Sequence, residues 1–126
     1  LRRLSRENGL AVISFFTPTS SEERMRQVAQ QGSGFVYVVA RRGVTGARTE
    51  MDAALVDYLA RCRSATDLPL AVGFGISTRE DVGMLEGRAD MAVLGTATIR
   101  LVDEKGAEAV GPFLRSLRET GEEAGR

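Results

Sequence analysis

Four times in this 126-residue chain an apolar strand gives way to a glycine- or serine-bearing turn and then to an amphipathic helix. That alternation forces parallel strands, because each helix carries the chain back to the end where the previous strand began, through right-handed crossovers. The expected strands run Leu10 to Phe16, Phe35 to Ala40, Leu68 to Phe74 and Met91 to Leu94. The second is apolar at every position, as befits a strand covered on both faces. Two α/β architectures satisfy the pattern. One is half of a (β/α) barrel, since eight strands close such a barrel and four do not. The other is an open four-stranded sheet with helices on both faces, close to a doubly wound fold. Periodicity does not separate them.

Local signals place the helices. Thr17-Pro18-Thr19 stops the first strand, because proline cannot continue the ladder. Ser20 then caps a helix, with Glu23 completing a capping box and Met25, Val28 and Ala29 facing inward. A helix from about Glu50 to Ala65 turns Leu55, Tyr58, Leu59 and Cys62 inward. A second box, Ser77 to Glu80, opens a helix ending near Gly87. The last segment is helical from Thr96, breaks at Gly106 and resumes with Val110, Phe113, Leu114 and Leu117 inward. Pro112 falls in that helix's first turn, where proline is tolerated. Residues 1–126 make one unit, with a mobile loop at 41–49 and a frayed tail at 119–126. The first nine residues read as the end of an amphipathic helix and not as a signal peptide, the pattern expected of a fragment.

Composition removes several functions. Acidic and basic residues number 17 each, so nothing favours a general nucleic-acid or membrane-surface binder. No apolar run approaches the ~20 residues that span a bilayer. With no histidine, the usual metal ligand and the usual acid–base group near neutral pH are missing, and no metal or cofactor is expected. Lys105 is the only lysine, and its Asp-Glu-Lys-Gly setting does not depress a pKa for Schiff-base chemistry. Cys62 is the only cysteine; on a helix's apolar face it reads as a small buried hydrophobe, which fits a reducing, cytoplasmic compartment.

The turns carry the functional signal. Gly43-Val44-Thr45-Gly46-Ala47, Gly73-Phe74-Gly75-Ile76-Ser77 and Leu94-Gly95-Thr96 each follow a strand at its carboxyl end. Barrels bind phosphate and do chemistry there. Glycine lets the main chain approach an anion, and Thr96 opens a helix whose free N–H groups favour phosphate. The plain alternative is that these glycines only make tight turns.

The same residues carry a family resemblance. The stretch from Gly34 to Ala47, with its Tyr-x3-Arg-x-Gly-Val-Thr-Gly core from Tyr37 to Gly46, resembles the sixth strand and mobile loop of the tryptophan synthase α subunit. Pro69 to Ser77 resembles its seventh strand and turn, and Ala89 to Ala97 its eighth. Phe15-Phe16-Thr17-Pro18-Thr19 resembles the fifth strand and the turn after it. The likeness runs through essentially the whole chain in order. It implies half of a TIM barrel, four parallel strands with helices corresponding to units five to eight.

The resemblance implies a lyase of tryptophan biosynthesis, which splits indole-3-glycerol phosphate into indole and glyceraldehyde 3-phosphate by a retro-aldol reaction. Indole passes to a β subunit in a heterotetramer, and no cofactor is implied. The phosphate would rest on backbone around Gly46, Gly75, Gly95 and Thr96. Tyr37, Phe15 and Phe74 would line the indole side, although packing within the core is the other reading for Tyr37 and Phe15. Thr45 would reach a catalytic carboxylate when the loop closes as a lid. Arg41, Arg42 and Arg48 would make that lid polar. The two catalytic carboxyl groups belong at and just after the family's second strand. This chain begins just before the fifth, so no catalytic residue is assigned in it. Asp52, Asp57, Asp67 and Asp90 are not placed to substitute. The expected partners are the β subunit and either a missing amino-terminal half or a second copy, because a half-barrel leaves strand edges and an apolar concave face. Two other readings stand beside this one: a non-catalytic phosphate-binding half-barrel, and another phosphate-binding barrel enzyme of aromatic or histidine biosynthesis.

Overall fold

The computed structural model describes residues 1–40 and 53–118. Along the chain these form α1 (Arg2–Glu7), β1 (Ser14–Phe16), α2 (Glu22–Gln31), β2 (Val36–Val39) and α3 (Ala53–Ala65). There follow β3 (Leu70–Gly73), α4 (Arg79–Gly83), β4 (Met91–Ala92), α5 (Thr96–Lys105), a 3-10 turn (Ala107–Ala109) and α6 (Val110–Arg118). The loop expected at 41–49, the first turn of the helix expected from Glu50, and the tail at 119–126 lie outside the described residues.

The strands pair in the order β1-β2-β3-β4, all parallel. A doubly wound sheet reverses its winding at an inner strand. This one never does, so the open doubly wound alternative falls and the half-barrel stands. Right-handed crossovers taken in one direction put every helix on one face. Burial agrees. Phe16, Val36, Val38, Leu70 and Val72 are fully buried and share a cluster with Met25 and Ala29 of α2 and with Leu55, Leu59 and Cys62 of α3. Each such large side chain contributes about 1.5–3 kcal/mol by leaving water. The alternate positions face the other way. Phe15, Tyr37, Ala71 and Met91 lie in register across the sheet. Phe15 keeps 60 % of its surface exposed and Met91 40 %.

Several local expectations shift. The strands are shorter than the apolar runs that contain them, because pairing needs a neighbour at each rung. Residues 10–13 lie outside the sheet; there, Ser33 N–H donates to the Val12 carbonyl at 2.9 Å and Val12 N–H to Ser33 Oγ at 3.2 Å. Both helix caps move by one residue. Ser20 Oγ lies 2.8 Å from Thr17 Oγ1, and Ser21 caps α2 instead, accepting from Arg24 N–H at 3.1 Å. With arginine three residues on, no capping box forms there. At α4 the box is Thr78 with Asp81, not Ser77 with Glu80. The shorter aspartate is the one that tucks back, and Asp81 Oδ2 accepts from Ser77 N–H at 3.0 Å and Thr78 N–H at 2.9 Å. On α6, Leu117 is buried as expected, but Leu114 remains 39 % exposed. Helix α1 buries none of its residues.

Candidate functional site

The open face and the carboxyl ends of the strands meet at one mouth. On that face the Tyr37 ring reaches toward the mouth across Gly73 of the neighbouring strand. A Cβ added at Gly73 would fall 2.4 Å from the Tyr37 hydroxyl and 3.2 Å from Cζ. Gly73 therefore provides the seat of the ring. Phe15, opposite Tyr37 in the register, tilts against it at a centroid separation of 5.5 Å and an interplanar angle of 50°. Two aromatic faces thus line the open side. Phe74, expected beside them, is only 6 % exposed and packs in the buried cluster on the helix side. Pleating accounts for this, since Val72 and Phe74 flank Gly73 and point opposite to it.

Beyond the aromatic pair come the glycine turns. Gly75 has φ +72°, a conformation that side chains with a Cβ rarely adopt, and none of the described residues lies within 4 Å of where a Cβ would be. Its backbone faces open space. Gly95 is also open and forms the N-cap of α5. The three described helix starts after strands differ in a way that matters here. Helices α2 and α4 have side-chain caps and two acidic residues each in the first turn. Helix α5, opening at Thr96, has no side-chain cap and no acid in its first turn. Its amide groups and positive dipole end are left available to an anion.

On the helix side, two residues that sequence reasoning did not single out for this site hold the mouth together. The Tyr58 hydroxyl, from α3, lies 3.0 Å from the Phe16 carbonyl and 2.8 Å from the Val39 carbonyl, sharing its proton between the ends of β1 and β2. Burial pushes the Tyr58 hydroxyl pKa upward and keeps it a donor. One turn on, Arg61 donates to the Ser20 carbonyl at 3.2 Å and the Pro18 carbonyl at 3.4 Å. Its guanidinium carbon sits 5.6 Å from the Tyr58 ring centroid. Helical spacing marked Tyr58 as inward-facing, but nothing local discloses carbonyls 19 and 42 residues away. Nor does anything local disclose that Tyr37 will lie over Gly73 of the next strand.

The remaining expected residues fall as follows. Thr45, Gly46, Arg41, Arg42, Arg48 and Asp52 lie outside the described residues. Asp57 and Asp67 are exposed, on α3 and in the loop before β3. Asp90 is at the far end of the sheet, where Oδ2 accepts from Arg63 at 3.0 Å and from Leu70 N–H at 2.8 Å. Asp81 is committed to capping α4. Cys62 is fully buried, and desolvation pushes its thiol up to about 11. Among the described residues no group of three histidine, cysteine, aspartate or glutamate side chains could hold a metal ion. No described helix is long and apolar enough to cross a membrane. Among the described residues, two surface hollows lie away from the mouth: about 420 Å³ beside Ala29, Gly32 and Leu68, and about 350 Å³ between α3 and the Gly87 turn. Neither touches the aromatic pair, which lies on an open face of the described residues.

Comparison with known proteins ties the geometry to one lineage. The family profile described as tryptophan synthase alpha chain matches residues 1–122. The tryptophan synthase alpha chain of Desulfotalea psychrophila is 57 % identical over 109 residues, covering 86 % of this chain and 43 % of that protein. That of Syntrophotalea carbinolica is 47 % identical over 112 residues, covering 89 % and 44 %. Among solved structures, one from the tryptophan synthase a2b2 complex of Pyrococcus furiosus superposes with a TM-score of 0.76 at 34 % identity, over 94 % of this chain and 48 % of that one. The chain thus spans less than half the length of the curated relatives it matches.

Proposed function

The chain belongs to the tryptophan synthase alpha chain family, and on that premise we propose that it supplies the phosphate-binding half of a barrel that cleaves indole-3-glycerol phosphate. The products are indole and glyceraldehyde 3-phosphate. The observation that carries this reading is the pairing of two open glycine turns with an uncapped helix start, Gly75 beside Gly95 and Thr96, at the mouth of a face lined by Phe15 and Tyr37. The phosphate sits on the backbone of Gly75, Gly95 and Thr96, joined by Gly46, where amide dipoles compensate its charge without a basic side chain. The indole ring lies against Phe15 and Tyr37, two flat apolar walls, while Phe74 stays in the buried core cluster. By the family resemblance, residues 41–49 would close over the substrate as a lid, with Thr45 reaching a catalytic carboxylate.

Carbon–carbon cleavage of this kind needs carboxyl groups to move a proton at the glycerol hydroxyl and at the indole ring carbon. Asp81 and Asp90 are engaged in structural hydrogen bonds, and Asp57 and Asp67 face solvent. None of these four described aspartates is placed as an acid–base group, and the reading assigns that role to other parts of the assembled site. A tryptophan synthase β subunit is the proposed protein partner, as in the Pyrococcus furiosus complex.

Calorimetric titration tests the reading. Indole-propanol phosphate should bind more tightly than inorganic phosphate. Gly75→Val, forced into a left-handed backbone position that costs about 1–2 kcal/mol for a residue with a Cβ, should weaken both ligands about ten-fold. No preference for the indole compound would refute the indole wall. Unchanged affinity in Gly75→Val would refute the backbone cradle.

A further inference from the structure

The β1–β2 ladder ends early. Its last register pair is Phe16 with Val38, because Pro18 blocks continuation of β1. Strand β1 is three residues long and has β2 as its one neighbour in the sheet. Beyond the final pair, the connection between the two strand ends is a side chain: the Tyr58 hydroxyl, bonded to Phe16 O and Val39 O. It acts as an extra rung at the mouth. Arg61 braces the same corner, holding the carbonyls of Pro18 and Ser20 in the turn that leaves β1 and packing its charge against the Tyr58 ring.

The two aromatic walls are held unequally. Tyr37 is on an inner strand paired on both sides, and its ring is seated over Gly73. Phe15 depends on β1 alone and is bonded directly to Phe16, whose carbonyl Tyr58 grips. The spacing of the two rings, 5.5 Å between centroids, is therefore set by how closely the mouth end of β1 is held to β2.

We propose that Tyr58, braced by Arg61, is a positioning residue that fixes the placement of Phe15 against Tyr37 and so shapes the surface that receives a flat aromatic ring. This rests on the reading that the pair receives the indole ring. The described part of the phosphate cradle, Gly75, Gly95 and Thr96, follows β3 and β4, two and three strands away from β1. Its loss should act on one part of the ligand and not the other.

The test compares wild type with Tyr58→Phe, produced in the native host, by titration with indole-propanol phosphate and with inorganic phosphate. The phenylalanine ring preserves packing and deletes only the rung. Affinity for the indole compound should fall about five- to ten-fold, as expected for one shared hydrogen bond, while inorganic phosphate stays within about two-fold. A loss of general stability would lower both together and overturn the proposal. So would unchanged affinity for the indole compound where wild type prefers it. A wild type without that preference overturns the functional reading, and the positioning role with it. If Tyr58→Phe does not fold, Arg61→Ala decides: a smaller loss confined to the indole compound supports the proposal, and an equal loss for both ligands overturns it.

Discussion

Replacing Gly73 by alanine should damage the site more than the fold. The added Cβ would lie 2.4 Å from the Tyr37 hydroxyl and 3.2 Å from Cζ, against 3.7 Å from the next neighbour, Val93 Cβ. Ordinary contact begins at 3.4 Å, so the hydroxyl must retreat by about 1 Å while everything else fits. The clash is with the tip of a half-exposed side chain, so the ring can swing on its χ angles at a cost of about 0.5–1.5 kcal/mol. Alanine at a strand position carries no backbone penalty of its own. Stability measured by urea denaturation should therefore drop by no more than about 1.5 kcal/mol. Titration should show affinity for indole-propanol phosphate falling about ten-fold, and affinity for inorganic phosphate holding. Tyr37→Phe in the Gly73→Ala background removes the closest atom and should restore most of both losses, a coupling read by a double-mutant cycle. A stability loss of about 3 kcal/mol or more would show that the ring cannot move, a cost of the size seen for overpacking a core. Equal losses for both ligands, or no rescue by Tyr37→Phe, would refute the role given to the Tyr37 ring.

Two further outcomes follow from the packing. Gly32→Ala puts a Cβ 2.0 Å from Ser14 Oγ and 2.9 Å from the Val12 carbonyl; both atoms are hydrogen-bonded, so relief is costly and a loss of about 2–3 kcal/mol in denaturant unfolding is expected, whereas full stability would refute the close approach. Cys62 supplies a pH dependence. Its thiol is raised by burial from 9.0 to about 11, so the folded state holds the proton more tightly than the unfolded chain, and the associated stability is complete below pH 9 and lost as pH rises toward 11. Denaturation at pH 8, 9.5 and 11 should show this fall, reduced in Cys62→Ala, and a thiol reagent should label Cys62 only on unfolding.

Much of the architecture is local in origin. Strand–helix alternation, the stop at Pro18, the glycine turns after the other three strands and the inward stripe of Leu55, Tyr58, Leu59 and Cys62 all depend on residues within a turn or two of each other. Periodicity and steric preference act over that range, so these features can be read from the chain. Cap positions already escape it. Ser20 against Ser21, and Glu80 against Asp81, are choices between adjacent residues settled by hydrogen-bond geometry within the turn, which is finer than hydrophobic periodicity resolves.

What the sequence determined by itself was the kind of unit: parallel strands, helices between them, and anion-friendly turns gathered at one end. Only the tertiary structure decided the winding, because strand order is a fact about pairing across 20 or more residues that no local pattern encodes. Half-barrel against doubly wound sheet rested on that order alone. The same holds for the site's inner construction. Tyr37 lies on Gly73, Tyr58 bridges Phe16 and Val39, and Arg61 reaches Pro18 because the strands stack side by side and bring those groups within a few ångströms. Short-range forces choose the elements; the contacts that shape the mouth exist only once the elements have met.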